Sequence, residues 1–213
     1  KVIWDAADVA RATDLPVLTE LPRRTAEELQ QLAAPPAPDA PEAEPHDAAR
    51  DGAGLLKGRL TRLQDLPYGQ AIFGLRHKLV DSIPLDSQKL LAVISPRTGE
   101  GKTTTAVNLA REAASSGIRT LLVDVDLRIG AASELLAAGQ RKRSVVDLVN
   151  GTATLKETLI KDPWSPLMLC PAPDVDHAVS RPTDILASRA FVRVARELRK
   201  DFDLVVFDTP SFL

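Results

Sequence analysis

The sequence predicts an α/β fold, a parallel sheet with helices on both faces. Short apolar runs of strand length alternate with stretches of helical spacing, the pattern left by parallel strands joined through crossover helices. Two of those runs end in aspartates, Asp124 and Asp208, and another leads into a glycine-containing loop. Polar chemistry therefore gathers where the strands end, the place where open α/β sheets bind ligands.

In chain order, Asp5–Ala12 is expected as a short helix and Leu15–Leu21 as a strand that Pro16 pushes towards an edge. Thr25-Ala-Glu-Glu28 fits a capping box opening a helix through Leu32. From Ala33 to Gly54, Pro35, Pro36, Pro38, Pro41 and Pro45 stand among Ala, Asp and Glu with almost no large apolar residue. A segment that buries so little cannot offset its ordering entropy, so it reads as an extended flexible linker, with a Pro-rich recognition motif as the alternative. The expected organisation is a small unit at 1–32, the linker at 33–54 and a nucleotide-binding domain at 55–213.

Within that domain a helix is expected around Tyr68–Val80 and a buried strand at Lys89–Ser95. Lys102–Ser116 should be a helix with Ala106, Ala110 and Ala113 on one face, stopped by Gly117. Arg119–Val125 and Leu167–Cys170 are the next strands. Thr183 is expected to cap a long helix with Ile185, Val192, Ala195 and Leu198 on one side and Arg193, Arg196 and Lys200 on another, before a last strand at Asp203–Asp208.

Composition removes several functions. Lys and Arg total 27 against 29 Asp and Glu in 213 residues, for a formal net charge of −2; no positive field favours nucleic acid, and no nucleic-acid partner is expected. No run approaches the roughly 18 apolar residues that span a bilayer. One cysteine, Cys170, rules out an intrachain disulfide, fits a reducing compartment and suits a small buried hydrophobe at a strand end. His46, His77 and His177 share no metal-ligand spacing, so zinc is not expected. The chain opens at Lys1 and closes just after the Asp208 strand, which reads as a piece of a longer protein whose sheet continues beyond Leu213.

The strongest signal is Ser95-Pro-Arg-Thr-Gly-Glu-Gly-Lys-Thr-Thr104. Backbone N–H groups of Thr98, Gly99, Glu100, Gly101 and Thr104 can turn inward around a phosphate, and the helix that follows adds the positive end of its dipole. Lys102 would reach the β and γ phosphates of ATP or ADP, and the Thr103 hydroxyl would ligate Mg²⁺. Pro96 stands where the strict motif has glycine, which removes one possible donor. Asp124 and Asp126 with Arg128 end one strand, and Asp208 ends another. Such carboxylates can hold a metal-bound water or orient a nucleophile.

Together these three motifs resemble the Walker A, A′ and B set of the bacterial tyrosine kinases, deviant P-loop ATPases with a P-loop NTPase-type sheet. Asp124-x-Asp126-x-Arg128 and Arg181-Pro-Thr-Asp-Ile-Leu-Ala-Ser188 are similar to that branch. Ala7–Arg11 and Leu15–Arg23 resemble the cytosolic segment after the second membrane helix of polysaccharide co-polymerases. The resemblance implies catalysis by Lys102, Asp126 and Asp124, nucleotide contact by the loop and Arg128, and Mg²⁺ held by Thr103, Asp126 and Asp208. It implies a Mg-ATP-dependent tyrosine autokinase at the cytoplasmic face of the bacterial inner membrane, regulating exopolysaccharide or capsule polymerisation and export. Its partners would be further copies of itself, a membrane-embedded co-polymerase part and the polymerisation machinery. The family's oligomerisation motif Glu-x-x-Arg-x-x-Arg falls here on Gln70, Phe73 and Arg76, with Phe73 a candidate for hydrophobic packing and ring assembly left open. Arg97 reads equally as a charge-stabilising finger or a solvated loop residue, and Tyr68 as a packing residue. An ATPase switch of the partitioning or division-site type, and a weakly catalytic nucleotide-binding scaffold, remain open alternatives.

Overall fold

The computed structural model describes residues 67–81, 89–137, 142–174 and 179–211; the elements expected over 1–32 and the linker at 33–54 lie outside them. The chain divides into two compact units, Lys1–Ser82 and Ile83–Leu213.

In the first unit, helix α1 spans Pro67–Asp81, matching the expected Tyr68–Val80. Pro67 suits the first turn because its missing N–H would have no helical partner there. Tyr68, Ile72 and Arg76, each four apart, form its buried line. Phe73 does not pack into a core: it is 43% exposed. Its ring instead meets the His77 edge with centroids 4.4 Å apart, and the Arg76 guanidinium lies 5.0 Å from its centroid.

The second unit contains β1 (Lys89–Val93), α2 (Lys102–Ser115), β2 (Thr120–Asp124), α3 (Ala131–Ala137), α4 (Val145–Asn150), α5 (Leu155–Thr158), β3 (Ile160–Lys161), β4 (Met168–Cys170), α6 (Pro182–Leu186), α7 (Arg189–Asp201) and β5 (Leu204–Asp208). The sheet runs β1-β5-β2-β4-β3. All its neighbours are parallel except β3 with β4, which departs from the all-parallel expectation because a six-residue turn after Lys161 suffices only for an antiparallel return.

Strand alternation sorts the core into two layers. Leu122, Val206, Leu169 and Leu204 face Ala106, Val107, Ala110, Ala113 and Ala114 of α2 and Ala132 and Leu136 of α3. Alanines let α2 lie close to the sheet, and its face is the one expected. Leu121, Val123, Val205, Phe207 and Cys170 point the other way, against Val145, Leu198 and Phe202. A fully buried Leu or Val in such a layer contributes about 1.5–3 kcal/mol. Cys170 is the buried strand-end hydrophobe expected, and burial pushes its thiol well above the ordinary value, so it is no nucleophile.

Three expectations need correction. The Lys89–Ser95 run forms a strand only to Val93, and it is buried on one face: Leu91 and Val93 pack towards α2, while Leu90 is 44% and Ile94 58% exposed. An apolar run alone cannot say whether both faces of an edge strand are covered. The long helix expected from Thr183 is two helices, because Ser188 starts a new one by accepting the Phe191 N–H at 3.0 Å. That restart resets the face: Phe191, Val194, Ala195 and Leu198 pack inward and Val192 is 45% exposed. Finally α3, α4, α5 and β3 fall in stretches to which the periodicity assigned nothing. Two of them open with full capping boxes, Ser144 with Asp147 and Thr154 with Glu157.

Candidate functional site

The ends of β1, β5 and β2 lie level, since Val93 pairs with Asp208 and Asp208 with Asp124. Val125 N–H donates to the Asp208 carbonyl at 2.9 Å, and the Thr209 hydroxyl donates to the Val93 carbonyl at 2.8 Å. The loop after β1 therefore leaves the sheet beside the Asp208 strand end.

That loop is open to solvent from Pro96 to Glu100, including Arg97, Thr98 and Gly99. Gly99 and Gly101 have φ of 78° and 87°, a region costly for side-chain-bearing residues. Gly101 is the N-cap of α2, and its carbonyl accepts from Thr105 N–H at 2.8 Å. Glu100 folds back to accept the Arg97 N–H at 3.0 Å, and the Ser95 hydroxyl donates to the Arg97 carbonyl at 2.9 Å. Lys102, Thr103 and Thr104 open the helix half-buried, with the Thr104 carbonyl taken by Asn108.

Asp208 is wholly buried, and neither carboxylate oxygen has a hydrogen-bond partner. Burial pushes its carboxyl up to about 6; the Thr103 hydroxyl and the Lys102 charge pull it down, and Asp126 repels it upwards. Thr103 thus lies close enough to favour the ionised form without reaching hydrogen-bond geometry. A buried carboxylate left unpaired is costly unless a cation or a metal-held water completes it. The orphaned oxygens, a hydroxyl and an ammonium on the adjoining helix start fit a phosphate-bound divalent cation, although no cluster of three or more His, Cys, Asp or Glu is present among the described residues. Magnesium needs few protein ligands when phosphates and water supply the rest.

Asp124 is also fully buried, but it is satisfied. Its Oδ2 accepts from the Ser133 hydroxyl at 2.7 Å and the Ser133 N–H at 2.9 Å, and its Oδ1 accepts from the Asp126 N–H at 3.1 Å. Burial pushes it up to about 7 against the Ser133 hydrogen bonds, with Asp208 adding repulsion and the Asp126 amide opposing. Asp126 is half-buried at the head of a turn, its Oδ1 facing Arg128 N–H at 3.4 Å and Ile129 N–H at 3.3 Å. Arg128 is exposed.

Of the residues picked out from sequence, the structure thus gathers Lys102, Thr103, Asp126 and Asp208. It leaves Thr98, Gly99, Glu100 and Arg128 on exposed spans around them, and Asp124 fully buried and hydrogen-bonded to Ser133 and the Asp126 amide. Sequence reasoning missed Ser133. A polar residue three positions into a short helix carries no motif, and its partners are nine and 39 residues away.

The family model described as an AAA domain matches residues 88–213. The tyrosine-protein kinase CpsD of Streptococcus pneumoniae is 35% identical over 124 residues, covering 58% of this chain and 53% of that protein. The chain thus spans about half the length of this curated relative. The succinoglycan biosynthesis transport protein ExoP of Rhizobium meliloti is 32% identical over 120 residues, 56% of this chain and 15% of that one. Among solved structures, the BceF tyrosine kinase domain superposes with a TM-score of 0.72 over 99% of this chain and 78% of that chain, at 22% identity, a likeness of fold.

Proposed function

We propose a Mg-ATP-dependent tyrosine autokinase function for this chain, which belongs to the AAA domain family and carries a P-loop ATPase domain of the bacterial tyrosine-kinase type. The observation that carries the reading is Asp208, a buried carboxylate with two unpaired oxygens on which Lys102, Thr103 and Asp126 all act electrostatically.

In this reading the backbone from Thr98 to Thr104 cradles the phosphates, and Lys102 binds the β and γ groups. Thr103, Asp208 and Asp126 would hold Mg²⁺, which when bound would supply charge neutralisation on the phosphoryl group being transferred. Asp126, half-open to solvent, accepts the proton of the attacking tyrosine hydroxyl. Asp124 assists by fixing the turn that carries Asp126, and Arg128 serves a neighbouring subunit or site. Catalysis is then positioning plus charge neutralisation, which is what in-line phosphoryl transfer requires of a protein. Tyr68 is buried and suits packing rather than acceptance of phosphate.

Named relatives extend the reading to exopolysaccharide or capsule polymerisation and export, since one is a succinoglycan biosynthesis transport protein. Residues 55–213 are the kinase-like domain in this proposal, 33–54 its tether and 1–32 a segment beside a membrane-embedded co-polymerase at the cytoplasmic face. Among the described residues no helix is long and apolar enough to cross a membrane.

The test is mass-spectrometric mapping of phosphotyrosine on the full-length protein after incubation with Mg-ATP, with Lys102→Met as control. Phosphotyrosine that disappears in Lys102→Met is expected. Phosphate release without phosphotyrosine would replace the kinase by an ATPase switch, and nucleotide binding with neither would leave a scaffold.

A further inference from the structure

Ser133 joins three elements in one buried cluster. It lies on α3, its N–H and hydroxyl both donate to Asp124 Oδ2 at the end of β2, and its Oγ accepts the Ala172 N–H at 2.8 Å from the segment after β4. Both Ser133 and Asp124 are fully buried, and Ala172 is buried with them. A hydroxyl has one proton to give and lone pairs to receive, so Ser133 is used in both directions at once. The remaining oxygen of Asp124 accepts the Asp126 amide at 3.1 Å. The path is continuous: Ala172 amide, Ser133 hydroxyl, Asp124 carboxylate, Asp126 backbone.

We propose that Ser133 is a positioning residue for the phosphoryl-transfer site, setting the Asp124 carboxylate and through it the turn that aims Asp126. The inference rests on the site proposed above. Ser133 touches no reacting atom. Its hydrogen bonds lead to Asp126, whereas the phosphate loop, which arises from β1 and α2, shares none of them. Without the hydroxyl, Asp124 keeps one bond from the Ser133 amide and loses the stronger one, and the Ala172 amide is left without its acceptor. Charged-acceptor hydrogen bonds in buried networks are the ones whose loss is felt most.

Four variants of the full-length protein test this: Ser133→Ala, Ser133→Thr, Asp124→Asn and Ser133→Ala combined with Asp124→Asn. Hydrogen exchange of the Asp126 to Ile129 amides is read first, since it needs no chemistry. Ser133→Ala should speed it about tenfold while amides in the middle of α2 stay unchanged, and Ser133→Thr should restore protection. Phosphoryl transfer is read second. Ser133→Ala should lower kcat roughly tenfold with ATP affinity within about twofold, and adding it to Asp124→Asn should cause little further loss, as expected for residues acting as a unit. Equal losses of kcat and ATP affinity, additive effects with Asp124→Asn, or uniform acceleration of exchange across the sheet would overturn the proposal and leave Ser133 a packing residue. If the wild type transfers no phosphoryl group, the kinase reading fails by itself, and the exchange pattern still decides whether Ser133 holds the Asp126 turn.

Discussion

Two fully buried carboxylates at opposite ends of this sheet, Asp162 and Asp208, are treated in opposite ways. At the end where the parallel strands begin, Asp162 is fully buried and receives Arg111 in a two-pronged pair, Nε to Oδ2 at 2.9 Å and Nη2 to Oδ1 at 2.8 Å, with the Ser165 hydroxyl on Oδ2 at 2.6 Å. At the same end Asp203 is met by Arg119 through Nε at 3.0 Å and Nη2 at 2.6 Å. Where the strands finish, Asp208 is equally buried and neither of its carboxylate oxygens has a hydrogen-bond partner. One end is closed by arginines and serves the fold. At the other, Asp124 is satisfied and Asp208 is left incomplete, which is the feature on which the proposed site rests.

The largest expected effect breaks the closed end. Arg111→Ala leaves Asp162 buried with only the Ser165 hydroxyl on its carboxylate, and should cost about 3–5 kcal/mol, the range for stripping one partner from a buried pair. Thermal or urea unfolding measures it. Asp208→Asn should act in the opposite direction, raising the stability of the nucleotide-free protein at pH 8 by on the order of 1–3 kcal/mol, because it removes a charge held in a poor environment. The same substitution should abolish the strengthening of nucleotide binding by Mg²⁺. If Asp208→Asn destabilises the free protein as Arg111→Ala does, the two ends are alike and the site assignment loses its main support.

Proton linkage sharpens the contrast. Asp208 and Asp124 have carboxyls raised from 3.8 to about 6 and about 7. Between pH 4 and 7 the unfolded chain has already released these protons while the folded chain still holds them. More protons bound in the native state means that stability falls as pH rises through this window. The nucleotide-free protein should therefore be more stable near pH 5 than near pH 7.5, apart from carboxylates that titrate normally. Asp208→Asn should flatten the slope. Denaturation midpoints taken at several pH values decide it, and a slope of the same sign and size in Asp208→Asn would reject Asp208 as its source.

The incomplete end was the more legible of the two in sequence. Lys102, Thr103, Asp126 and Asp208 stand at short, fixed offsets from strand ends, which is a local pattern a sequence displays. The arginine pairs did not, since Arg111 and Asp162 stand 51 residues apart and Arg119 and Asp203 84 apart, with nothing local to link them. Ser133 was hidden for the same reason. The strands were readable as apolar runs, but coverage of each face was not. Leu90 and Leu91 look identical in the string, and only the position of β1 at the sheet edge leaves one exposed while the other packs towards α2. The restart of α7 at Ser188 was local and could have been read, because a serine three residues before Phe191 is an N-cap signal, whereas Thr183, the expected cap, lies inside α6 behind an N-cap at Arg181.

The smallest expected effect separates burial from position. Arg119 and Asp203 make the same two-pronged geometry as Arg111 and Asp162, at the same end of the sheet, yet their side chains are 63% and 47% exposed. Water already solvates both charges, and the attraction between them is screened. The Arg119 guanidinium holds the Asp203 carboxyl below the usual carboxylate range, so what the pair contributes is present at neutral pH and lost only in acid. Arg119→Ala should move the unfolding midpoint barely outside measurement scatter at physiological salt, and less still at high salt. A loss comparable to that of Arg111→Ala would mean that the strand-start end is stabilised by its arginines regardless of exposure, and the difference between the ends would then belong to their place in the sheet rather than to desolvation.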